Sequence, residues 1–310
     1  MIFSKRQIVD LRSEGVDVIE YYLESRTNGF YLLREIFRLR SLVREIVPDI
    51  VHAHYGTMTS FIGSFSGAKK FAITFHGSDL NYVKSEFYLK EVLAKWLSQL
   101  SILKADAIFC VSKGLQQKLW WRRHISVVIP FGVNTEKFYP MDKSEARIRL
   151  NISIESRLVL FNNSAAVKRY DLALEAINRL KKSIPNVELY PLSGAVEYET
   201  MLLLLNGCDC LLICSDSEGS PVMVKEAMAC NLPIVATDVG DVVDVLSGSS
   251  PCAVSEQIPE QLASAIREVM KDGIRSNGRQ VIAAKSLDSK GITARVVEVY
   301  LNIVKPTHND

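Results

Sequence analysis

Short apolar runs of strand length alternate with longer helical stretches along almost the whole chain, and no other feature limits the fold as tightly. "DIVHAHY", "KFAITFHGSD", "DAIFCVS" and "ISVVIPFGV" have the length and the β-branched and aromatic content of strands. Between and before them stand the helical stretches "FYLLREIFRLRSLVREIV", "MTSFIGSFSGA", "FYLKEVLAKWLSQLSILKA" and "KGLQQKLWW". The chain opens on "MIFSKRQIVDLRSEG", an amphipathic helix, followed by "VDVIEYY", a strand. After a looser polar stretch, "NTEKFYPMDKSEARIRLNISIES", the series restarts. "RLVLFNNS", "VELYPLSG", "DCLLICS" and "IVAT" read as strands; "RYDLALEAINRLKKS", "EYETMLLLLNG" and "PVMVKEAMAC" read as helices.

Strands alternating with helices on this scale imply parallel sheets joined by right-handed crossovers. Two such series imply two Rossmann-like α/β domains, expected over 1–132 and 133–285, with residues 286–310 forming a closing helix that packs back toward the first. Sheets of this kind hold ligands beyond the carboxyl ends of their strands. With two domains, the expected site is the cleft between them.

Composition excludes several alternatives. The 310 residues are 48% hydrophobic and 23% charged, which suits two globular domains. A net charge of +2 with no Lys/Arg block argues against a nucleic-acid partner. The longest apolar run, "TMLLLLNGCDCLLICS", is broken by Asn206 and Asp209, so no membrane span is expected. The opening residues do not read as a signal peptide. The six cysteines lack metal-ligand spacing and read as reduced, small core residues of a cytoplasmic chain.

The most informative stretch is "SDSEGSPVMVKEAMACNLPIVATDVGD", residues 215–241. Ser220 suits an N-cap and Pro221 the first helical position, so the helix is expected from Pro221, with Asn231 and Pro233 ending it. The amides of Gly219, Ser220 and Val222, with the helix dipole, would form an anion site. Glu226 falls in the second turn, roughly 6–8 Å further at about 1.5 Å per residue. That is the span from a diphosphate to the ribose of one nucleotide, and a carboxylate there can accept from both hydroxyls of a diol. Glu218, on the loop, would face whatever hangs from the distal phosphate.

Other polar residues fall on the same strand-exit rim. His76 and Gly77 follow "AITF"; His52 and His54 share a strand face but lack a third ligand for a metal. Lys168 and Arg169 follow the first strand of the second series, where a cation would neutralise a diphosphate. Gly194 marks a loop where backbone groups could meet a base edge, and Asp238 and Asp241 flank a glycine in another exit loop.

Taken together these segments resemble the retaining glycosyltransferases of family 4, the "glycosyl transferases group 1", which have the two-Rossmann GT-B fold. "EGSPVMVKEAMACNLPIVATDVGD" is similar to the family's E-x7-E signature and the segment after it. "HGSD", "ADAIFCVSKGL", "VIPFGVNTEKFYP" and "VKRYDLALEAI" resemble further family blocks in family order. The resemblance implies that Glu218 contacts the donor sugar, Glu226 binds the ribose hydroxyls, and Gly219, Ser220 and Val222 offer amides to the phosphates. It implies that Lys168 pairs with the diphosphate and that His76 lines the sugar pocket.

Two departures stand out. Where the family usually carries an arginine five residues before the phosphate lysine, this chain has Asn163, and Arg169 is the substitute cation at hand. Family members also begin with a strand and a glycine-containing loop, whereas this sequence opens on the helix after them; the expected amino-terminal sheet therefore lacks its first strand. The expected reaction moves a sugar from a UDP- or GDP-sugar to a glycan or lipid-linked hydroxyl, with no cofactor and no metal. The alternatives are a nucleotide-sugar-binding protein without turnover and a sugar-nucleotide epimerase of the same architecture. Arg34, Arg38, Arg40 and Arg44 among Phe30, Leu33, Phe37 and Leu42, and Trp120, Trp121, Arg122 and Arg123 in "LWWRRHI", carry a further expectation: peripheral contact with an anionic membrane surface at the cytoplasmic face.

Overall fold

A computed structural model describes residues 2–23, 29–81 and 88–305. The expected helical positions at Met1 and residue 87, and the side chain of Phe30, lie outside the described set. The chain divides into two compact units, residues 1–131 with 290–310, and residues 132–289.

In the first unit α1 (Ile2–Ser13) and α2 (Gly29–Ile46) precede β1 (Val51–His54), α3 (Thr57–Gly63), β2 (Phe71–Phe75) and α4 (Tyr88–Ile102). β3 (Ala107–Cys110), α5 (Lys113–Gln117) and β4 (Ser126–Val128) follow. The described strands form a parallel sheet in the order β1-β2-β3-β4. β2 and β3 are buried along their whole length, and Phe71, Ile73, Phe75, Ile108 and Cys110 pack with Ile102 of α4, Leu115 of α5 and Leu119 just beyond it. Continuous apolar strands are what a sheet covered on both faces demands.

Residues 16–22, expected to be a strand, carry no regular structure. They are anchored by side chains instead: Arg12 donates to the Val18 carbonyl at 2.7 Å and pairs with Glu20, and the Tyr21 hydroxyl donates to Glu35 at 2.6 Å. A β-rich composition makes a strand only where a neighbour supplies the ladder.

The second unit contains α6 (Lys143–Arg149), β5 (Arg157–Asn162), α7 (Tyr170–Leu180), β6 (Val187–Leu192), α8 (Tyr198–Gly207) and β7 (Cys210–Ile213). α9 (Val222–Ala229), β8 (Ile234–Thr237), α10 (Val242–Leu246), β9 (Cys252–Ser255), α11 (Pro259–Met270) and α12 (Gly278–Ala284) complete it. All strand pairs are parallel, in the order β6-β5-β7-β8-β9. From β5 the chain passes outward to β6 and then returns to the other side of β5 with β7. The sheet therefore reverses direction between β5 and β7.

The polar stretch expected to be a loose link holds α6, capped by Asp142, whose side chain accepts from Glu145 N at 2.9 Å. Arg147 of α6 is fully buried against Asp209, at 2.9 Å, and also donates to the Gly207 and Ile154 carbonyls. Asp209, which looked like an interruption in an apolar run, accepts from Leu158 N and pairs with Lys143 as well. A buried guanidinium is tolerable when its donors are satisfied in this way. α13 (Ser289–Val304) closes the first unit, where Arg295 donates to the Val128 carbonyl at 2.7 Å and the Tyr300 hydroxyl meets His52 Nδ1.

Candidate active site

In the second unit several of the side chains singled out from the sequence gather where the strand order reverses. Lys168 ends a single 3-10 turn, Ala166–Lys168, just beyond β5. Glu218 lies on the loop leaving β7. Although 50 residues separate them, Lys168 Nζ stands 2.5 Å from Glu218 Oε1, and Ser215 Oγ donates to the same oxygen at 2.7 Å. The two loops are tied directly by Asp216 N donating to the Val167 carbonyl at 2.9 Å. The two side chains are only 18% and 11% exposed, so their charges meet in a partly desolvated position. The crevice at such a reversal is where open α/β sheets bind ligands.

Arg169, next to Lys168, takes a left-handed conformation with φ of 61° and faces elsewhere. Its guanidinium is held by Asp171 and Asp216, each at 3.0 Å. The cation expected to replace the family arginine is thus already neutralised by two carboxylates. Asn163 continues the β5 ladder, its N–H donating to Leu192 O at 2.8 Å. Gly194, beyond β6, has φ of +79° with open space around it, as a loop free to approach a ligand requires.

The helix start differs from expectation in one respect. Pro221 is the cap residue, with an extended backbone and no side-chain capping bond, and α9 begins at Val222. Ser220 does not cap because its hydroxyl is engaged elsewhere: it donates to Asp241 Oδ2 at 2.7 Å and accepts from Lys225 Nζ at 2.7 Å. Lys225 also pairs with Asp241 Oδ2 at 2.7 Å, with its side chain entirely buried. The turn carrying Gly219 and Ser220 is therefore locked to the loop after β8. That loop comes so close that a Cβ on Gly240 would stand 2.6 Å from the Gly219 carbonyl oxygen.

Glu226 follows Lys225 in the second turn and is 6% exposed. The whole of α9 is buried, so a glutamate and a lysine side by side within it are placed there against the solvation preference of both. Sequence reasoning noted Glu226 and missed Lys225, although a lysine inside the apolar stretch "PVMVKEAMAC" carried the signal.

The first unit arranges the histidines. Asp79, wholly buried, accepts from the amides of Gly56 at 2.9 Å, Gly77 at 2.8 Å and His76 at 3.0 Å. This fixes the "HGSD" turn, whose Gly77 has φ of 141°. The His76 ring sits 5.6 Å from that of His54 and 5.2 Å from Phe131; His54 stacks on His52 at 4.4 Å. His52 is fully engaged, meeting Tyr300 through Nδ1 and Thr74 through Nε2. Burial pushes His76 down to about 4 and His54 to about 3, so both are neutral near pH 7.

His76 Nε2 and His54 Nδ1 are buried without a hydrogen-bond partner among the described residues, as are Thr237 Oγ1 and Asp241 Oδ1 in the second unit. All four stand at or just past the carboxyl end of a strand. Buried polar atoms are ordinarily satisfied, so these leave capacity for water or a ligand at the strand exits. Burial also raises the thiol pKa of all six cysteines, to about 12 at Cys110, Cys208, Cys214 and Cys230. They are inert packing residues, and all six are free.

Two parallel-sheet Rossmann-like units with this loop apparatus define a GT-B protein. Residues 3–137 match the family described as Glycosyltransferase Family 4 and residues 175–272 the one described as Glycosyl transferases group 1; the chain belongs to the family 4 glycosyltransferases. It is 26% identical over 244 residues to a putative teichuronic acid biosynthesis glycosyltransferase, TuaC, of Bacillus subtilis, covering 72% of this chain and 61% of that one. The chain thus spans under two thirds of that relative's length. It is 23% identical to the N,N'-diacetylbacillosaminyl-diphospho-undecaprenol alpha-1,3-N-acetylgalactosaminyltransferase of Campylobacter jejuni, covering 95% of this chain and 88% of that one. Among solved structures it resembles Anabaena Alr3699/HepE in complex with UDP and glucose, with a TM-score of 0.69, 15% identity, and coverage of 94% and 88%.

Proposed function

We propose that this protein transfers a sugar from a nucleoside-diphosphate sugar, UDP- or GDP-linked, to a hydroxyl of a glycan or lipid-linked acceptor, with retention of anomeric configuration. The observation that carries the reading is the Lys168–Glu218 pair at the strand-order reversal, beside the amino end of α9. A diphosphate there would be met by Lys168 and by the amides heading α9, charges fixed in advance of the reaction. Glu226, one turn into α9, would accept from the ribose diol. Glu218 would face the sugar, and the neutral His76 of the first unit keeps Nε2 for a substrate hydroxyl.

In this reading the bond from the anomeric carbon to the diphosphate oxygen breaks and the oxygen keeps the electron pair. Lys168 stabilises the charge that builds there. The acceptor oxygen then bonds to the same face of the carbon, and its proton passes to a phosphate oxygen. The reaction needs neither a cofactor nor a metal. The relatives' names, one in teichuronic acid biosynthesis and one with a diphospho-undecaprenol acceptor, support a glycan or lipid-linked acceptor in polysaccharide or glycolipid biosynthesis, and the UDP and glucose of the Anabaena neighbour support the donor class.

A thermal-shift screen of nucleotide sugars tests the donor, since a ligand of the folded state raises stability by mass action. Glu226→Ala should weaken binding of the matching free nucleoside diphosphate by roughly 1–3 kcal/mol. Unchanged affinity would remove Glu226 from the ribose, and a screen with no stabilising nucleotide would remove the donor reading itself.

A further inference from the structure

Arg169 adopts a backbone conformation that favours glycine. Its φ of 61° and ψ of 58° lie in the left-handed region, at the corner where the Ala166–Lys168 turn ends and α7 begins. A side chain there crowds its own backbone, whereas glycine meets no such penalty. Strain of this kind persists only where the surroundings over-determine it, and it clusters at functional sites. Here it falls on the residue next to Lys168.

The contacts that hold this corner come from several elements. The guanidinium forks onto Asp171 in the first turn of α7, Nε donating to Oδ1 at 3.1 Å and Nη2 to Oδ2 at 3.0 Å. Nη1 reaches across to Asp216 Oδ1, on the loop after β7, at 3.0 Å. The same oxygen accepts from Gln257 Nε2 at 3.0 Å. Gln257, just past β9, also donates to the Cys214 carbonyl at 2.9 Å. Asp216 thus joins the exit loops of β5, β7 and β9.

Lys168 and Arg169, consecutive in one loop, are therefore each paired with a carboxylate of the other, Glu218 and Asp216. The two ties differ in what a ligand does to them. A diphosphate that draws Lys168 off Glu218 breaks the first, while Arg169–Asp216 and the Asp216 N to Val167 O bond still join the loops. The side chains of Arg169, Asp171 and Asp216 are 33%, 68% and 49% exposed. Ion pairs this open add little to global stability, so their effect is local.

We propose that Arg169 is a positioning residue: paired with Asp216, it fixes the corner after β5 and so aims Lys168 at the leaving diphosphate, without touching the diphosphate itself. A side chain turned away from the crevice by a left-handed backbone and held by two carboxylates is arranged for that task and not for binding an anion. The inference rests on the sugar-transfer reading, which gives Lys168 its ligand, and one arm of its test needs no nucleotide.

Arg169→Gly keeps the left-handed corner without strain and deletes the guanidinium, so the melting temperature should stay close to that of the unaltered chain. In the ligand-free full chain, a limiting dose of acetic anhydride should acetylate Lys168 about threefold faster in this variant, read by peptide mass spectrometry. An unchanged rate in the folded variant overturns the proposal. With the UDP- or GDP-sugar the chain uses, kcat should fall about tenfold or more, while affinity for the free nucleoside diphosphate falls less than about threefold. Asp216→Ala should act alike, and the double variant should lower kcat no further than either single change, since both break one link. Arg169→Lys, which can hold one carboxylate but not both, should recover part of the rate. Additive losses overturn the proposal. So does a gain of diphosphate affinity in Asp216→Ala, which would show the released Arg169 reaching the ligand itself. A chain that binds no nucleoside diphosphate would instead remove the sugar-transfer reading, while the acetylation rate decides the tie between the loops by itself.

Discussion

Lys225 and Asp241 form an ion pair inside the second unit, Nζ to Oδ2 at 2.7 Å, with the lysine side chain entirely buried and the aspartate 6% exposed. Both also bond to Ser220 Oγ, so the pair ties the turn before α9 to the loop after β8. Removing one partner strands the other charge. Lys225→Met should therefore destabilise the protein by about 3–5 kcal/mol, measured by urea denaturation. Adding Asp241→Asn should restore much of that stability without restoring nucleotide affinity, because the turn would remain untethered. Full recovery of both would reduce the pair to a packing element.

Gly240 should tolerate no side chain. Its φ is +63°, and an added Cβ would meet the Gly219 carbonyl oxygen at 2.6 Å and its carbon at 3.0 Å, backbone atoms that cannot swing aside. Gly240→Ala should cost about 1–3 kcal/mol in stability and displace the turn beside Glu218. A crystal structure of the variant with that turn unmoved would contradict this.

Lys168 and Glu218 neutralise each other at 2.5 Å, so the diphosphate of the proposed donor would have to compete for the lysine. Lys168→Ala should lower turnover by about a hundredfold or more, the usual effect of losing one fixed charge at a developing anion. Glu218→Gln should lower turnover far more than it lowers affinity for the bare nucleotide, because its proposed partner is the sugar. Steady-state kinetics beside calorimetric nucleotide titration separate the two, and equal losses in rate and affinity would put Glu218 on the nucleotide.

The histidine cluster should make the protein acid-sensitive. His54 and His76 are depressed to about 3 and 4 by burial, below the ordinary 6.5. Above pH 6.5 both states are neutral, and stability is independent of these groups. Between 6.5 and about 4 the unfolded chain takes up protons that the folded chain refuses, so stability falls as pH drops. The slope is up to about 1.4 kcal/mol per pH unit for each histidine. Buried Asp79 acts in the opposite sense, since burial raises its carboxyl. His54→Gln should flatten the fall in urea midpoint between pH 7 and 5; an unchanged slope would place the acid sensitivity elsewhere.

Much of the architecture was written in local pattern. Apolar runs such as "FAITF" and "CLLI" are strands because their residues are buried on both faces, and that periodicity needs no knowledge of partners. Glu218, Glu226 and the helix between them could be placed from turn and capping chemistry alone, although the start of α9 moved by one residue because Ser220 found a tertiary partner.

What the sequence could not decide was which distant groups would meet. Strand order brings the loops after β5 and β7 together, so Lys168 faces Glu218 while its neighbour Arg169 turns to Asp171 and Asp216. The same holds for Arg147 on Asp209, and for residues 16–22, whose β-prone composition pairs with no strand among the described residues. α4 carries the same lesson: its sequence shows a helix, but only packing shows Ser98, Gln99 and Ser101 turned inward beside Ile102 while Leu93, Trp96 and Leu100 face out. Local propensity and hydrophobic period are properties of a few consecutive residues. Partnership across tens of residues is fixed by sheet topology, which only the folded chain possesses.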